Sequence, residues 1–375
     1  MALAAVLTAW PAHAEPVGWQ ASGDLRTGYA ASRREARDGT ETDDDSFRAR
    51  IRFRLSRNLG GGWLFSGRLA GTYASDQDRF SAYVRRHRPS RTGLEAGDTT
   101  LDELYLGWLD AEGLWNVRAG RFQTSFNLPV VPAKSLDRND SSGFGIGWTD
   151  GVHVQRLITP AWRGHLIAQV HSRGANGTGN TLRTPLDFTD SSARAGLFAG
   201  LQAEQNPGPL ILRMIGLTWL PDSLASEGQT SEHREDFLAL TTKLAASWSV
   251  GPAKTRLVAA GEFGHALNRP RREVVGLSGD RQVSGNAWQL AASAYDIRPG
   301  HHLGVVYGRA QAGWLISTDF RNNDELAEIR YQRLIRPGLT VETRFRWRRE
   351  LELPEFEQRQ RIDRDIYIRL NARFP

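Results

Sequence analysis

The sequence predicts an all-β chain, closed as an antiparallel transmembrane β-barrel of about sixteen strands in an up-and-down meander. Three observations carry that expectation. Apolar and polar residues alternate with a period of two through most of the chain, the pattern of strands with one apolar and one polar face. Short and long connections alternate without exception, as in a barrel with tight turns at one end and loops at the other. Aromatic residues recur ten positions apart on the apolar face, which at ~3.3 Å per residue and a tilt of about 45° spans roughly 23 Å.

Taken in order, the chain begins "MALAAVLTAWPAHAEP". The apolar stretch 2–10 and the small-x-small site Ala12-His13-Ala14 resemble a secretory signal peptide. Residues 1–14 are expected to be this leader, truncated at its start because no basic residue precedes the apolar stretch. Residues 15–375 are expected to form the barrel. In the first strand Trp19, Ala21, Gly23, Leu25, Thr27 and Tyr29 share one face, and Gln20, Ser22, Asp24, Arg26 and Gly28 the other. The second alternates more sharply: Phe47, Ala49, Ile51, Phe53 and Leu55 oppose Arg48, Arg50, Arg52 and Arg54. In the third, Trp63, Phe65, Gly67, Leu69, Gly71 and Tyr73 oppose Ser66, Arg68 and Thr72.

Gly- and Pro-bearing turns follow at 58–62, 111–114, 159–161, 206–209, 251–253, 298–301 and 336–338. Longer polar connections fall near 32–45, 76–98, 123–148, 174–191, 221–235, 268–284, 315–321 and 351–362. The pairs Trp19/Tyr29 and Trp63/Tyr73 set the aromatic spacing. Trp108, Trp115, Trp162 and Trp248 fall beside short turns, and Trp219, Trp314 and Trp347 near long connections, as two interfacial girdles require. A soluble sheet with core aromatics would favour strand middles instead.

The segment "TVETRFRWRRE" places Val341, Thr343, Phe345 and Trp347 on one face and Glu342, Arg344, Arg346 and Arg348 on the other. The last strand, "DIYIRLNARF", sets Ile366, Ile368, Leu370, Ala372 and Phe374 against Asp365, Tyr367, Arg369, Asn371 and Arg373. A terminal strand of this kind, closing on Phe374, resembles the C-terminal assembly signal of Gram-negative outer-membrane proteins, from which the final Pro375 departs. The resemblance implies the outer membrane, with the apolar faces toward lipid and the arginines toward a polar lumen. A lipid-facing Arg at mid-depth costs ~2–4 kcal/mol, so the register is strongly fixed.

Closure brings the chain ends together into one basic wall. It carries Arg26, Arg48, Arg50, Arg52, Arg54, Arg68, Arg344, Arg346, Arg348, Arg369 and Arg373, offset in part by Glu342, Asp24 and Asp365. These are the expected pore-lining residues. The bland alternative is that the arginines only solvate the lumen and pair with nearby acids. The connection 123–148 is the longest and follows the fifth strand. The loop at that place in general porins folds inward and narrows the pore, so the resemblance implies a constriction loop in which Asp137 and Asp140 are placed to face the basic wall, with Lys134 and Arg138 beside them. "ELYLGW…VRAGRF" followed by "TDGVHV" is similar to a region of porin-like families that include phosphate-selective porins and alginate exporters.

The function implied is passive diffusion of small hydrophilic solutes, with anions favoured. The partners expected are outer-membrane lipid, such solutes and, from the porin resemblance alone, a homotrimer. The alternatives are a substrate-specific or polymer-exporting channel, or a plugged structural or enzymatic barrel. Composition bounds the rest. Cysteine is absent, and lysine occurs only at 134, 243 and 254 among 48 basic residues. The net charge of +6 is spread along the chain without a nucleic-acid motif, so no nucleic-acid partner is expected. Outer-membrane phospholipases and lipid A deacylases resemble smaller barrels with a Ser/His pair. Here the histidines are scattered, and G-x-S-x-G, P-loop and dinucleotide motifs are missing. The adjacent His301-His302 sits in a turn and reads as solvent-exposed. No enzyme, cofactor or metal is expected.

Overall fold

The computed structural model describes residues 18–78, 80–83, 94, 96–141, 143–172, 186, 193–228, 230, 232–251 and 255–375. The leader expected at 1–14 and most of the connection expected at 174–191 lie outside the described residues. The strands are β1 (Trp19–Glu35), β2 (Glu41–Gly60), β3 (Trp63–Ala74), β4 (Ser81–Tyr83), β5 (Asp98–Leu109), β6 (Trp115–Phe122), β7 (Thr149–Thr159), β8 (Trp162–His171), β9 (Arg194–Ala203), β10 (Leu210–Ala225), β11 (Arg234–Val250), β12 (Thr255–Ala266), β13 (Asn286–Arg298), β14 (His301–Ala310), β15 (Asp324–Arg336), β16 (Leu339–Glu350) and β17 (Ile362–Phe374). Each pairs antiparallel with its neighbour in the chain, except the three-residue β4, which runs parallel to β5 inside the long β3–β5 connection. β1 pairs with both β2 and β17, from Gly23↔Phe374 to Glu35↔Ile362. The remaining sixteen strands therefore close into a barrel with no free edge, which a bilayer requires.

The alternation read from the sequence sorts the side chains. Ile51, Phe53, Leu55, Phe345, Ile366 and Ile368 are exposed on the outer surface, while Arg52, Arg68, Arg348 and Arg369 are buried toward the interior. Trp19, Tyr29, Trp63 and Tyr73 are likewise exposed.

Three connections differ from expectation. The one expected at 32–45 is only 36–40, because β1 and β2 continue as a polar ribbon. Arg33 pairs with Glu41 and the Tyr29 hydroxyl donates to Asp45, so a stretch that is polar enough for a loop is held as strand by cross-strand charges. The connection expected at 221–235 shrinks likewise, since β10 runs to Ala225 and β11 starts at Arg234. The one expected at 315–321 occupies 311–323 and turns into the barrel. Its Trp314, placed by sequence in a girdle, is fully buried, and its indole N–H donates to the Leu136 carbonyl at 3.0 Å.

Candidate functional site: the lumen and the segments inside it

The interior site is built on the β6–β7 connection. Residues 124–128 and 134–140 run back to back: Phe126 N–H donates to the Arg138 carbonyl, Leu128 N–H to Lys134, and Asp140 N–H to Thr124. The tip, Pro129–Ala133, reaches the far wall, where Val131 N–H donates to Ser293 Oγ at 2.9 Å and Tyr295 OH to the Pro129 carbonyl at 3.3 Å. That wall has no bulk at the points of contact. A Cβ on Gly304 would lie 2.5 Å from Pro132 Cδ, and one on Gly264 would lie 2.5 Å from the Trp314 ring. Glycine is what lets the segments approach so closely.

Two buried lysines fasten the hairpin. Lys243 Nζ donates to the Phe126 carbonyl (2.6 Å) and to Ser135 Oγ (2.7 Å), and pairs with Glu262 at 2.7 Å. Glu262 in turn accepts Leu136 N–H at 3.0 Å and the Gln289 amide at 2.6 Å. Lys134, on the hairpin itself, pairs with Glu328 of β15 at 2.8 Å. Burial outweighs that carboxylate and pulls the Lys134 ammonium down to about 8. The 311–323 connection adds Ser317 and Thr318, whose hydroxyls donate to the Ser135 and Asn139 carbonyls, and Asp319, which accepts Ser135 N–H and the Asn139 amide.

On its other side the segment rests on β1 and β2. Arg26 Nη1 donates to the Gly143 carbonyl at 2.6 Å, and Arg50 Nη1 to Ser141 Oγ (3.0 Å) and the Gly145 carbonyl (3.1 Å). Between the hairpin and the wall of β15, β16, β17, β1 and β2 lies a passage of about 760 Å³. It extends from Arg348 and Asp319 to Gly338 and Arg373 beside the short β15–β16 turn.

Nine of the expected pore residues border it: Arg26, Arg48, Arg52, Glu342, Arg344, Arg346, Arg348, Arg369 and Arg373, together with Lys134 of the hairpin. Arg50, Arg54 and Arg68 do not. Arg50 is fully buried under the hairpin, where it donates to Ser141 Oγ and the Gly145 carbonyl and pairs with Asp24 at 3.3 Å. Arg54 pairs with Glu103 at 2.7 Å, and Arg68 pairs with Asp102 at 2.7 Å and Glu103 at 2.9 Å, both away from the passage. Asp137, Arg138 and Asp140 also point elsewhere. Asp140 caps Thr124 N–H at 2.8 Å, Asp137 accepts from Thr218 at 3.4 Å, and Arg138 lies over the Phe198 ring at 5.0 Å. Of the two acids expected to face the basic wall, Asp140 serves the hairpin's own fold and Asp137 meets Thr218 of β10. Arg330, Tyr367 and Asp319 border the passage beyond the expected pore residues. The signal for Arg330 was available, since Ala327, Ile329 and Tyr331 alternate with Glu328, Arg330 and Gln332.

The basic wall is partly neutralised. Asp365 holds both Arg344 and Arg346, Glu342 holds Arg369 at 2.8 Å, and Asp24 holds Arg52 at 2.7 Å. Ten cationic side chains and three carboxylates border the passage. Even with Asp365, Glu328 and Asp44 behind them, cations outnumber acids ten to six. Tyr367 stiffens the middle: Arg344 and Arg369 lie 4.2 Å and 4.8 Å from its ring centre, and Phe144 of the hairpin meets it edge-on at 6.0 Å.

The profile of Gram-negative porins matches residues 2–343. The chain belongs to that family. Its fold is similar to Pseudomonas putida OprB (TM-score 0.63, 12% identity, covering 95% of this chain and 94% of that one). It is also similar to the outer-membrane channel DcaP of Acinetobacter baumannii (0.55, 12%, 95% and 97%). A third similar structure is an anion-selective porin from Comamonas acidovorans (0.54, 12%, 95% and 100%). No curated protein matches the sequence. The protein is thus an outer-membrane porin with a fold suited to passive solute passage, in contact with membrane lipid. Among the described residues, no three His, Cys, Asp or Glu side chains form a group able to hold a metal ion.

Proposed function

We propose that this porin passes small hydrophilic solutes and favours anions, with the hairpin of residues 123–148 setting the constriction. The observation that carries the reading is the excess of cations over carboxylates along the passage. A low-dielectric shell focuses their field onto any ion inside. The sequence alternative, in which every arginine is matched by an acid, accounts for Arg54 and Arg68 but not for Arg373, which has no carboxylate partner among the described residues. The Comamonas acidovorans relative, itself anion-selective, agrees with the reading. We read the chain as a channel. The homotrimer belongs to the same reading on family grounds.

Reversal potentials across a salt gradient in planar bilayers test the selectivity. A shift toward the anion equilibrium potential is expected, shrinking as the Debye length falls from ~10 Å at 0.1 M to ~3 Å at 1 M. Cation selectivity removes the proposal, and absence of ion-sized conductance removes the channel reading itself. Cross-linking in native membranes that yields only monomers removes the trimer.

A further inference from the structure

The two rims of the lipid-facing surface treat arginine differently. At the long-loop rim the outward arginines are matched by acids. Glu325 holds Arg309 at 2.9 Å and Arg349 at 2.6 Å, and Glu35 holds Arg364. At the short-turn rim, which faces the periplasm in outer-membrane barrels, the outward arginines include Arg57, Arg156, Arg213 and Arg333. None of them has a carboxylate partner among the described residues. Three of them lie instead on girdle tryptophans of other strands: Arg57 at 5.6 Å from the Trp19 ring centre, Arg156 at 4.6 Å from Trp115 and Arg213 at 4.9 Å from Trp162. The first two pairs stand directly opposite in register, Trp19↔Arg57 and Trp115↔Arg156. Arg213 reaches across β9, where the intervening residue at that level is the small Ala203. Its Nε and one Nη are fixed by Asn206 Oδ1 and the Gln205 carbonyl, both at 3.0 Å.

We propose that this rim binds anionic phospholipid head groups of the periplasmic leaflet. A guanidinium lying on an indole has one face covered and its N–H edge directed outward. That edge is a planar fork that matches a phosphate bidentately, and it gains most where water is scarce, at the boundary between head groups and acyl chains. Three such cations and Arg333, none with a carboxylate partner among the described residues, favour a head group of net negative charge over a zwitterionic one, whose own ammonium they repel. The opposite rim, internally neutralised, has less to offer an anion. The proposed belt lies outside the barrel, so it is independent of how the lumen selects solutes.

The test mixes the purified protein, in detergent, with equal mole fractions of phosphatidylglycerol and phosphatidylcholine, and counts retained lipids by native mass spectrometry. Wild type is expected to retain phosphatidylglycerol preferentially. The variant carrying Arg57→Gln, Arg156→Gln, Arg213→Gln and Arg333→Gln is expected to lose that retention by at least about five-fold. Arg309→Gln with Arg349→Gln at the opposite rim is expected to keep it. Equal retention of the two lipids by wild type, or equal loss in both variants, overturns the proposal. A second measurement needs no variant: brominated phosphatidylglycerol in vesicles should quench the tryptophan fluorescence more than brominated phosphatidylcholine, and equal quenching counts against the belt. Conductance of the four-site variant should match wild type, which separates this proposal from the pore reading.

Discussion

The lumen has two walls built on the same alternation with different contents. Along β11 to β14 many inward residues are small and apolar: Ala239, Ala245, Val258, Ala260, Ala266, Ala287, Ala291, Val306 and Ala310 are buried in one cluster with Leu128, Val130, Val131 and Leu136 of the hairpin and with Trp314 and Phe320, and the polar Lys243, Glu262, Gln289 and Ser293 among them are engaged with the hairpin or with one another. Along β15 to β17, β1 and β2 they are mostly long and cationic, and the passage runs past them. The difference follows from solvation. Burying a Val or Leu side chain contributes about 1.5–3 kcal/mol, so the small-residue wall gains by covering itself with a loop. A guanidinium loses far more on drying unless it is paired, so the arginine wall keeps its water. The loop is therefore drawn to one side, and the aqueous path is left on the other.

The contrast breaks most completely if the hairpin is removed. Deleting residues 129–142 should expose the apolar wall and raise single-channel conductance more than any point change. An unchanged conductance would place the hairpin's tip outside the ion path. Lys243→Met is the milder version. It leaves the Glu262 carboxylate buried without its cation, a change that costs about 3–5 kcal/mol. The expected signs are hairpin cleavage by added protease and noisier, larger openings, with the barrel's heat-shifted gel mobility retained. Gly304→Val attacks the same contact sterically, because its side chain would collide with Pro132 and Val131. Its conductance should move in the same direction as that of Lys243→Met. Unaltered traces from both variants would mean that the docking is not what fixes the constriction.

The arginine wall is sharpened by substitutions that separate lining from merely inward-facing residues. Arg344→Ala with Arg346→Ala removes two cations and leaves Asp365 without either partner. At water-like dielectric each charge is worth on the order of 1 kcal/mol to a nearby ion, so relative anion permeability should fall by at least about five-fold at low salt. Arg54→Ala removes an inward arginine that does not border the passage. Reversal potentials should leave it at wild-type selectivity. Equal effects from the two changes would show that bulk lumen charge, and not the lining, sets the preference.

Much of this was legible in the sequence because the period of two is strict. The paired alternation at Phe47–Leu55 and at Val341–Arg348 fixes which side chains enter the lumen, and the turn residues fix where each strand ends. Nine of the expected pore residues reached the passage for that reason. The failures have one physical origin. Alternation says which face a residue occupies, not what lies on top of it. Arg50 and Arg52 are equivalent in sequence, yet a loop ninety residues away covers the first and leaves the second at the passage. Asp137 and Asp140 read as charges facing the basic wall, whereas Asp140 caps its own hairpin and Asp137 meets Thr218 of β10. The docking surface did leave a trace, the inward small residues of β12 and β13 such as Ala260, Gly264, Ala287 and Ala291. Their small size sets them apart from the arginine-bearing faces of β2 and β16.

The smallest expected effect tests where the two walls meet. Lys134 sits on the hairpin, borders the passage and pairs with Glu328. Its ammonium is pulled down to about 8 from the usual lysine value, with burial as the main cause. Because the shift is downward, the charged form persists below pH 8 and is lost as pH rises through it. A guanidinium ordinarily stays charged across that range. Anion preference should therefore decline modestly between pH 7 and pH 9, by the loss of one cation among ten. Lys134→Arg should abolish the decline, since a guanidinium stays charged throughout. Lys134→Met should show wild-type high-pH behaviour already at pH 7, with no further change. A pH-dependent decline that survives in Lys134→Arg would assign the titration to another group and detach the hairpin from the selectivity of the passage.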